Sequence, residues 1–223
     1  YKIYQNPEIT EYLNKIGATV VSASTRPDTF SGYAFTILDS NEVNALAAPG
    51  GIIFVTKGFL KLIDDEDTLA AILAHEVNHV TKLHGLRAIK PGNLGSYITV
   101  GKHVASALSC PGLTNQGVIA LDAASGDIIN TLLTAGFSKE QEYSADEGAV
   151  EVLLAAGYDP NALNRALEIL RSVRTRGGGW FSTHPSPGDR INVLKAKPRG
   201  KNNWNSGFEA RKGRFKKVLA LLG

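Results

Sequence analysis

The sequence predicts an α+β fold that is mostly helical, with one small β-sheet, and two observations support this prediction. Three short strand-like runs lie close together, at residues 33–38, 43–48 and 51–56. The segments that begin at Asp64 and Ser138 instead place apolar residues at the three- and four-residue spacing of buried helices. At 223 residues with 43% hydrophobic content, the chain can bury one sizeable core, so we expect a single domain over residues 1–223.

We expect this domain to have three parts along the chain: an N-terminal helical segment, a core and a C-terminal helix. Residues 1–29 are expected to form an N-terminal helical segment, residues 30–197 the core, and residues 198–223 a basic C-terminal helix. Within the core, residues 49–51 (Pro-Gly-Gly) predict the turn that joins the second and third strands. Residues 90–135 are rich in Gly, Ser and Ala and are expected to contain two helices, and we hypothesise that they form a lid over the cleft.

A helix with a strong start follows the strands and carries a five-residue motif. Residues 64–67 are all acidic, which suits the first turn of a helix. Leu69, Ile72 and Leu73 then share one apolar stripe, and residues 75–79 read His-Glu-Val-Asn-His. The motif is therefore expected to lie within a long and buried helix.

The spacing of this motif is typical of a zinc hydrolase. His75 and His79 are four residues apart, so on a helix both imidazoles project from one face and can bind one metal ion. Glu76 is rotated about 100° from His75, too far round for a good ligand but close enough to act as the carboxylate base. The alternative is an ordinary helix whose two histidines are held by hydrogen bonds in the core.

A catalytic zinc site has three protein ligands, and the best candidate for the third lies in a second predicted helix. Residues 138–157 end at a glycine suited to a helix C-terminus. Within them, Glu142 can offer a carboxylate oxygen to the metal, and Asp146, on the same face, can accept a hydrogen bond from a ligand histidine. The alternative is a solvated acidic face. His84, about 180° round the first helix from His75, faces away from a shared metal and is interpreted as structural.

Four blocks of the sequence together match a known family. They are residues 44–58, residues 75–79 with His84 and Gly85 behind them, residues 142–146 (Glu-Tyr-Ser-Ala-Asp) and residues 183–191 (Thr-His-Pro-Ser-Pro-Gly-Asp-Arg-Ile). In their order and spacing, the chain resembles the metallopeptidase family 48 group of gluzincins, which includes HtpX and the type I CAAX endopeptidases. Among the branches of that family, it is most similar to the periplasmic beta-barrel-assembly-enhancing proteases and the Oma-type proteases.

The resemblance implies a gluzincin-like zinc metallopeptidase domain whose small sheet packs on the active-site helix. It implies one Zn2+ per chain, bound by His75, His79 and Glu142. Glu76 is then the general base. The resemblance also implies that His184 returns to the active site, where it stabilises the oxyanion or approaches the metal. From the residues alone, a histidine that starts a helix is an equally good interpretation of His184.

The second strand-like run is a candidate substrate-binding rim. An edge strand above the metal can bind an extended peptide by backbone pairing, which makes Asn44, Ala45 and Leu46 candidate substrate-binding residues. The rim is expected to continue as far as Ala48. A plain structural strand is the alternative interpretation.

The predicted function is zinc-dependent hydrolysis of peptide bonds in protein or peptide substrates, within envelope protein quality control. The expected location is the periplasm or another extracytoplasmic bacterial compartment, either in solution or in peripheral contact with a membrane surface. Two alternatives stay open. One is a latent protease that acts mainly as a chaperone-like or regulatory binding protein, and the other is a metallohydrolase for non-peptide substrates.

Charge and composition narrow the expected partners. The net charge is only +3, but basic residues concentrate at positions 195–217, which suits an anionic membrane surface, an acidic protein or the solvated face of a terminal helix. Nothing in the sequence resembles a nucleic-acid-binding module, so no nucleic-acid partner is expected.

Three further expectations concern the chain itself. Spanning a bilayer takes about 18 consecutive apolar residues, and no run approaches this length, so a soluble chain is expected. Arg190 is expected to make a structural ion pair. The start at Tyr1, without a Met or a secretory leader, indicates a processed form or a fragment.

Overall fold

In the part of the chain that the structure describes, helices dominate the architecture and three short strands form one sheet. The computed structural model describes residues 2–29, 32–48, 50–85, 136–173, 180, 184, 187–196 and 203–223. In these ranges the strands are β1 (Ala34–Leu38), β2 (Ala45–Ala48) and β3 (Ile52–Thr56). The helices are α1 (Pro7–Ser22), α2 (Lys57–Leu62), α3 (Glu66–Thr81), α4 (Lys139–Ala156), α5 (Ala162–Val173), α6 (Pro187–Ala196) and α7 (Phe208–Leu219). The predicted α+β class, mostly helical, is confirmed.

The sheet has the order β1-β3-β2, so β2 lies at one edge. β1 runs parallel to β3, whereas β2 and β3 form an antiparallel hairpin in which Ala48 faces Ile52. The turn between them contains Gly50 and Gly51, whose φ angles of 101° and 103° are readily adopted only by glycine. The predicted glycine turn is therefore present, and it positions β2 as an edge strand.

Helix α3 runs through the centre of the described core. Its N-cap is Asp65, whose side chain accepts a hydrogen bond of 2.7 Å from the backbone N–H of Thr68. All residues from Glu66 to Val80 are buried, and α1, α4, α5, α7 and β2 pack around the helix. A helix surrounded on every side is fixed in position, which is what a site built upon it requires.

Helix α4 has strong signals at both ends, and these set its boundaries where the sequence predicted them. Ser138 and Gln141 form a capping box, in which each side chain accepts a hydrogen bond from the other residue's backbone N–H. At the other end, Gly157 adopts φ 78° and closes the helix. These caps bracket the segment that carries Glu142 and Asp146.

The C-terminal helix α7 packs against the first turn of α3. Arg214 pairs with the buried Glu66, and Arg211 donates to both carboxylate oxygens of Asp67 at 2.6 and 2.9 Å. Phe215 is buried against the core. Two residues of the predicted basic segment therefore bind buried acids, and α7 is shorter than the predicted helix over residues 198–223.

Among the described residues, no helix combines the length and apolar character that crossing a bilayer requires. Residues 90–135, which are predicted to contain two helices and to form a lid, lie outside the described residues.

Candidate metal centre

Helix α3 presents both histidines of the motif to the same side. His75 and His79 are one turn apart, and their Nε2 atoms lie 3.0 Å from each other. Their side chains are 0% and 1% exposed. The structure therefore gives the two imidazoles the common direction that the spacing predicts.

Helix α4 carries Glu142 to these histidines because it packs closely against α3. Gly148 faces Asn78 so tightly that a β-carbon would lie 2.0 Å from Asn78 Oδ1. Near the end of α3, Lys82 Nζ donates to the backbone carbonyl and the hydroxyl of Ser144, at 2.5 and 2.9 Å. A close contact and a polar contact thus fix α4 along α3.

Four residues converge at the point where α3 and α4 meet. Glu142 Oε1 lies 3.3 Å from His79 Nε2, and Glu142 Oε2 lies 3.6 Å from His75 Nε2. His184 Nδ1 lies 2.8 Å from Glu142 Oε1 and 3.4 Å from His75 Nε2. One ligand atom from each of these four residues lies within 4.8 Å of all the others.

The spacing of these atoms fits a single metal ion. Ligand atoms at about 2.0–2.1 Å from a tetrahedral zinc ion are about 3.3 Å from one another. The two Nε2 atoms of His75 and His79 are 3.0 Å apart, and they lie 3.6 and 3.3 Å from Oε2 and Oε1 of Glu142, respectively, which is around this value. Imidazole nitrogens and a carboxylate oxygen are also the donors that zinc prefers in catalytic sites.

Asp146 and Arg190 lie directly behind the converging atoms. His75 Nδ1 is 2.9 Å from Asp146 Oδ1, which is the histidine contact predicted for Asp146. Arg190 Nε and Nη2 donate to the two oxygens of Asp146 at 2.7 and 2.6 Å, and Arg190 Nη1 lies 2.6 Å from Glu142 Oε2. Arg190 does form an ion pair, and both of its partners are carboxylates of the candidate site.

The protonation states suit metal binding. Burial alone would raise the pKa of each acid. For Glu142, the nearby histidines, His184 first, outweigh burial and hold the pKa below its usual range. Arg190, followed by His75, does the same for the pKa of Asp146. Burial lowers the pKa of His79 well below its ordinary value. Ionised carboxylates and a neutral imidazole are the forms that bind metal ions.

Glu76 lies beside this cluster in a different chemical environment. It is fully buried, and neither of its carboxylate oxygens has a hydrogen-bond partner among the described residues. Burial raises its pKa, and Nε2 of His184 lies 3.6 Å from Glu76 Oε1. A carboxylate with a raised pKa and no bound donor is suited to accept and release a proton.

Trp180 holds His184 at the cluster. The indole and imidazole rings stack with centroids 3.9 Å apart at an angle of 15°. The backbone N–H of His184 donates to the Trp180 carbonyl, and that of Trp180 donates to the Val43 carbonyl, just before β2. The sequence interpretation missed Trp180. Its signal was a large aromatic residue close before the His-Pro block.

The predicted rim lies at the sheet edge next to α3. Asn44, Ala45 and Leu46 are 1%, 0% and 3% exposed, and the Asn44 side-chain oxygen has no hydrogen-bond partner within the described chain. A cavity of about 250 Å³ opens at the far end of β2. Its lining includes Ala47, Ala48, Gly50, His79, Val80 and Leu83. The rim is thus close to the cluster, and its role in binding substrate stays a prediction.

His84 is not among the described residues that could hold the metal, in agreement with its prediction as a structural residue. The assumption behind that prediction, an unbroken helix, is wrong: α3 ends at Thr81 and the chain turns at Leu83, whose φ is 57°. After this turn, the Nδ1 atom of His84 lies 3.1 Å from that of His79. His84 therefore contacts a candidate ligand from outside the cluster.

Comparison with known proteins identifies the family of the chain. Residues 7–197 match the model of peptidase family M48. The chain is 28% identical over 192 residues to the beta-barrel assembly-enhancing protease of Escherichia coli (strain K12), covering 85% of this chain and 39% of that protein. It is 28% identical to the mitochondrial metalloendopeptidase OMA1 of Schizosaccharomyces pombe, covering 83% and 52%. It is 25% identical to the metalloprotease LoiP of Escherichia coli (strain K12), covering 85% and 71%.

The fold and the histidine–glutamate cluster define a metallopeptidase-type domain. Because the family model matches most of its length, the chain belongs to peptidase family M48. The predicted family is thus confirmed. The chain spans about two fifths of the length of the beta-barrel assembly-enhancing protease that it matches.

Proposed function

We propose that this chain is the catalytic domain of a zinc-dependent metalloendopeptidase. The observation that carries the proposal is the convergence of ligand atoms of His75, His79, Glu142 and His184 within 4.8 Å of one another, all four residues being buried. His75, His79 and Glu142 would bind one Zn2+ per chain, with Asp146 orienting His75. The M48 family match supports metal-dependent peptide hydrolysis as the reaction.

When bound, the zinc ion supplies Lewis acidity, which polarises the scissile carbonyl and lowers the pKa of water. Glu76 accepts the proton of the attacking water at its carboxylate and then delivers it to the leaving amine nitrogen. The absence of bound donors at Glu76 among the described residues leaves its oxygens available for this transfer. His184 is placed to donate a hydrogen bond from an imidazole N–H to the oxyanion that forms from the carbonyl.

The substrate is proposed to be an extended segment of a protein or peptide. Among the described residues β2 is an edge strand, so Asn44, Ala45 and Leu46 would bind the substrate main chain by strand pairing. The backbone N–H and C=O of Asn44 already bind Thr56, so its neighbours would supply the pairing groups. The similarity to a beta-barrel assembly-enhancing protease supports a role in envelope protein quality control and a periplasmic location. Peripheral membrane contact through the basic C-terminal residues is part of the same proposal.

The domain organisation is also a proposal. We propose that residues 1–223 form one metallopeptidase domain, because both flanking segments pack on the active-site helix. Helix α1 lies against α3, and α7 binds its first two acidic residues through Arg211 and Arg214.

A second candidate is a latent protease that acts mainly as a chaperone-like or regulatory binding protein. One observation favours it: His184 lies at hydrogen-bonding distance from Glu142 and takes the fourth place in the cluster, the place that catalytic zinc sites leave open. Glu76, His184 and the rim strand are also buried, so a substrate reaches them only after a rearrangement.

Two variants, Glu76→Gln and His184→Ala, test whether the protein is an active or a latent protease. Glu76→Gln keeps the size of the side chain but cannot take up the proton, so it should bind zinc normally and lose about 10²–10⁴-fold in casein cleavage. Zinc content by atomic absorption is the control. A fully active Glu76→Gln protein would refute the role of Glu76.

His184→Ala separates the open enzyme from the latent one. If His184 donates to the oxyanion, the variant should lose about 10²–10³-fold in kcat. If His184 blocks the site, the variant should cleave casein faster than the wild type. Zinc binding by a wild type that cleaves no protein, together with activation by His184→Ala, would favour the latent form.

A further inference from the structure

His75 and His79 of α3 both direct Nε2 towards the cluster and Nδ1 away from it. Nε2 of His75 and Nε2 of His79 face each other and Glu142, so both Nδ1 atoms point outward. The outward Nδ1 of His75 has a partner in Asp146, at 2.9 Å. The outward Nδ1 of His79 lies 3.1 Å from Nδ1 of His84.

The positions of the protons in this second pair follow from metal binding. An imidazole that offers the lone pair of Nε2 to a metal carries its proton on Nδ1. Nδ1 of His79 must then donate, so Nδ1 of His84 must accept. His84 therefore has to be neutral, with its own proton on Nε2. No other tautomer of the two rings gives a hydrogen bond while His79 binds a metal through Nε2.

The backbone adopts an unfavourable conformation to make this contact. Leu83 has φ 57°, a left-handed conformation that residues other than glycine rarely adopt. The turn at Leu83 brings His84, which is 3% exposed, back to His79 instead of continuing along α3. On the other side, Phe137 stacks on the His79 ring with centroids 3.9 Å apart. The ring of His79 is thus fixed both at its edge and on its face.

We propose that His84 is a positioning residue for the metal ligand His79, in the way that Asp146 is for His75. It accepts the Nδ1–H hydrogen bond of His79, and so fixes the tautomer and the orientation in which Nε2 binds the metal. This inference rests on the proposed function, since it assumes that His79 is a ligand. The left-handed conformation of Leu83 allows the chain to turn so that His84 reaches His79.

A matched pair of variants tests the proposal by metal affinity rather than by activity. Asn and Leu have nearly the same shape, and the Asn oxygen is bonded to Cγ, as Nδ1 is in histidine. His84→Asn therefore keeps an acceptor where His84→Leu has none. Each protein is titrated with zinc against a chromophoric chelator, and its Co2+ complex is examined by visible absorption. Urea unfolding of the metal-free proteins shows whether the two variants fold equally well.

We expect His84→Leu to bind zinc about 10–100-fold more weakly than the wild type, the usual effect of losing such a partner, and His84→Asn to stay within about threefold. The Co2+ spectrum should change in the Leu variant and not in the Asn variant. If His84→Leu does not fold, His84→Ala takes its place as the variant without an acceptor.

Equal weakening in the Asn and Leu variants would overturn the proposal, because the acceptor would then be irrelevant. Wild-type affinity in the Leu variant would overturn it as well. In both cases a wild type that binds zinc and cleaves protein leaves the proposed function standing. A wild type that binds no zinc would instead refute the proposed metal site itself, and this inference with it.

Discussion

Gly148 is a point of close approach between α4 and the active-site helix, so Gly148→Ala tests how the metal site is held together. A β-carbon at this position would lie 2.0 Å from Asn78 Oδ1 and 2.6 Å from Asn78 Cγ. Asn78 cannot easily move away, because it is buried and its Nδ2 donates a hydrogen bond of 2.9 Å to the Ala74 carbonyl. The variant must break this bond or move α4, which carries Glu142, away from α3.

The expected effect follows from opposing contributions. Overpacking a buried contact costs about 1–3 kcal/mol, whereas the better helix propensity of alanine contributes about 1 kcal/mol in the other direction. We expect Gly148→Ala to lower the free energy of unfolding by up to about 2 kcal/mol. Restoring a carbon–oxygen contact of about 3 Å would move the helices by about 1 Å. The 3.3 Å separation between Glu142 and His79 would then increase, so zinc affinity should fall as well.

Urea unfolding of metal-free protein measures the stability, and competition with a chelator measures the zinc affinity. Gly213→Ala is the matched control, because a β-carbon at Gly213 in α7 meets nothing within 4 Å. That control should gain about 0.5–1 kcal/mol and bind zinc like the wild type. The double variant Asn78→Ala/Gly148→Ala should be more stable than the sum of the single changes predicts.

The reasoning fails if Gly148→Ala gains stability as Gly213→Ala does and binds zinc normally. Additive effects of the Asn78 and Gly148 substitutions would also count against it, because the clash involves both residues.

Two further predictions concern buried charges. Arg190→Gln leaves two buried carboxylates without their cation and should destabilise the metal-free protein by about 3–5 kcal/mol. Because Arg190 holds the pKa of Asp146 below its usual value, this stabilisation is present above about pH 4 and is lost as the pH falls further. The difference between variant and wild type in urea unfolding should therefore shrink between pH 7 and pH 3, and a constant difference would contradict this account. Arg214→Gln removes a cationic partner of the buried Glu66, which keeps its hydrogen bonds from Tyr12 and Tyr158. The change should cost about 1–2 kcal/mol, a modest value because the Arg214 side chain is 53% exposed. Lys216→Gln, an exposed change on the same helix, should stay within about 0.5 kcal/mol of the wild type in the same denaturation assay.

Much of the fold could be predicted because its signals are local. The acidic start of α3, the cap residues of α4 and the glycines between β2 and β3 each act over a few residues, and each element forms where its signal lies. The common direction of His75 and His79 is likewise a property of one helical turn. The assignment of Glu142 as their partner needed more than local signals. It came from combining the second predicted helix with the first, and the family resemblance agreed with it.

What the sequence by itself determined about this protein is therefore its class of fold, its M48 family and the residues on each helix face. Only the tertiary structure decided which side chains meet. It turned His84 back to His79 through one left-handed residue, stacked Trp180 on His184, and placed Arg190 between two carboxylates. The spacing of residues along the chain specifies the directions in which side chains project from one helix or strand. The contacts between elements depend instead on how helices end and how closely their surfaces pack, and neither is a local property.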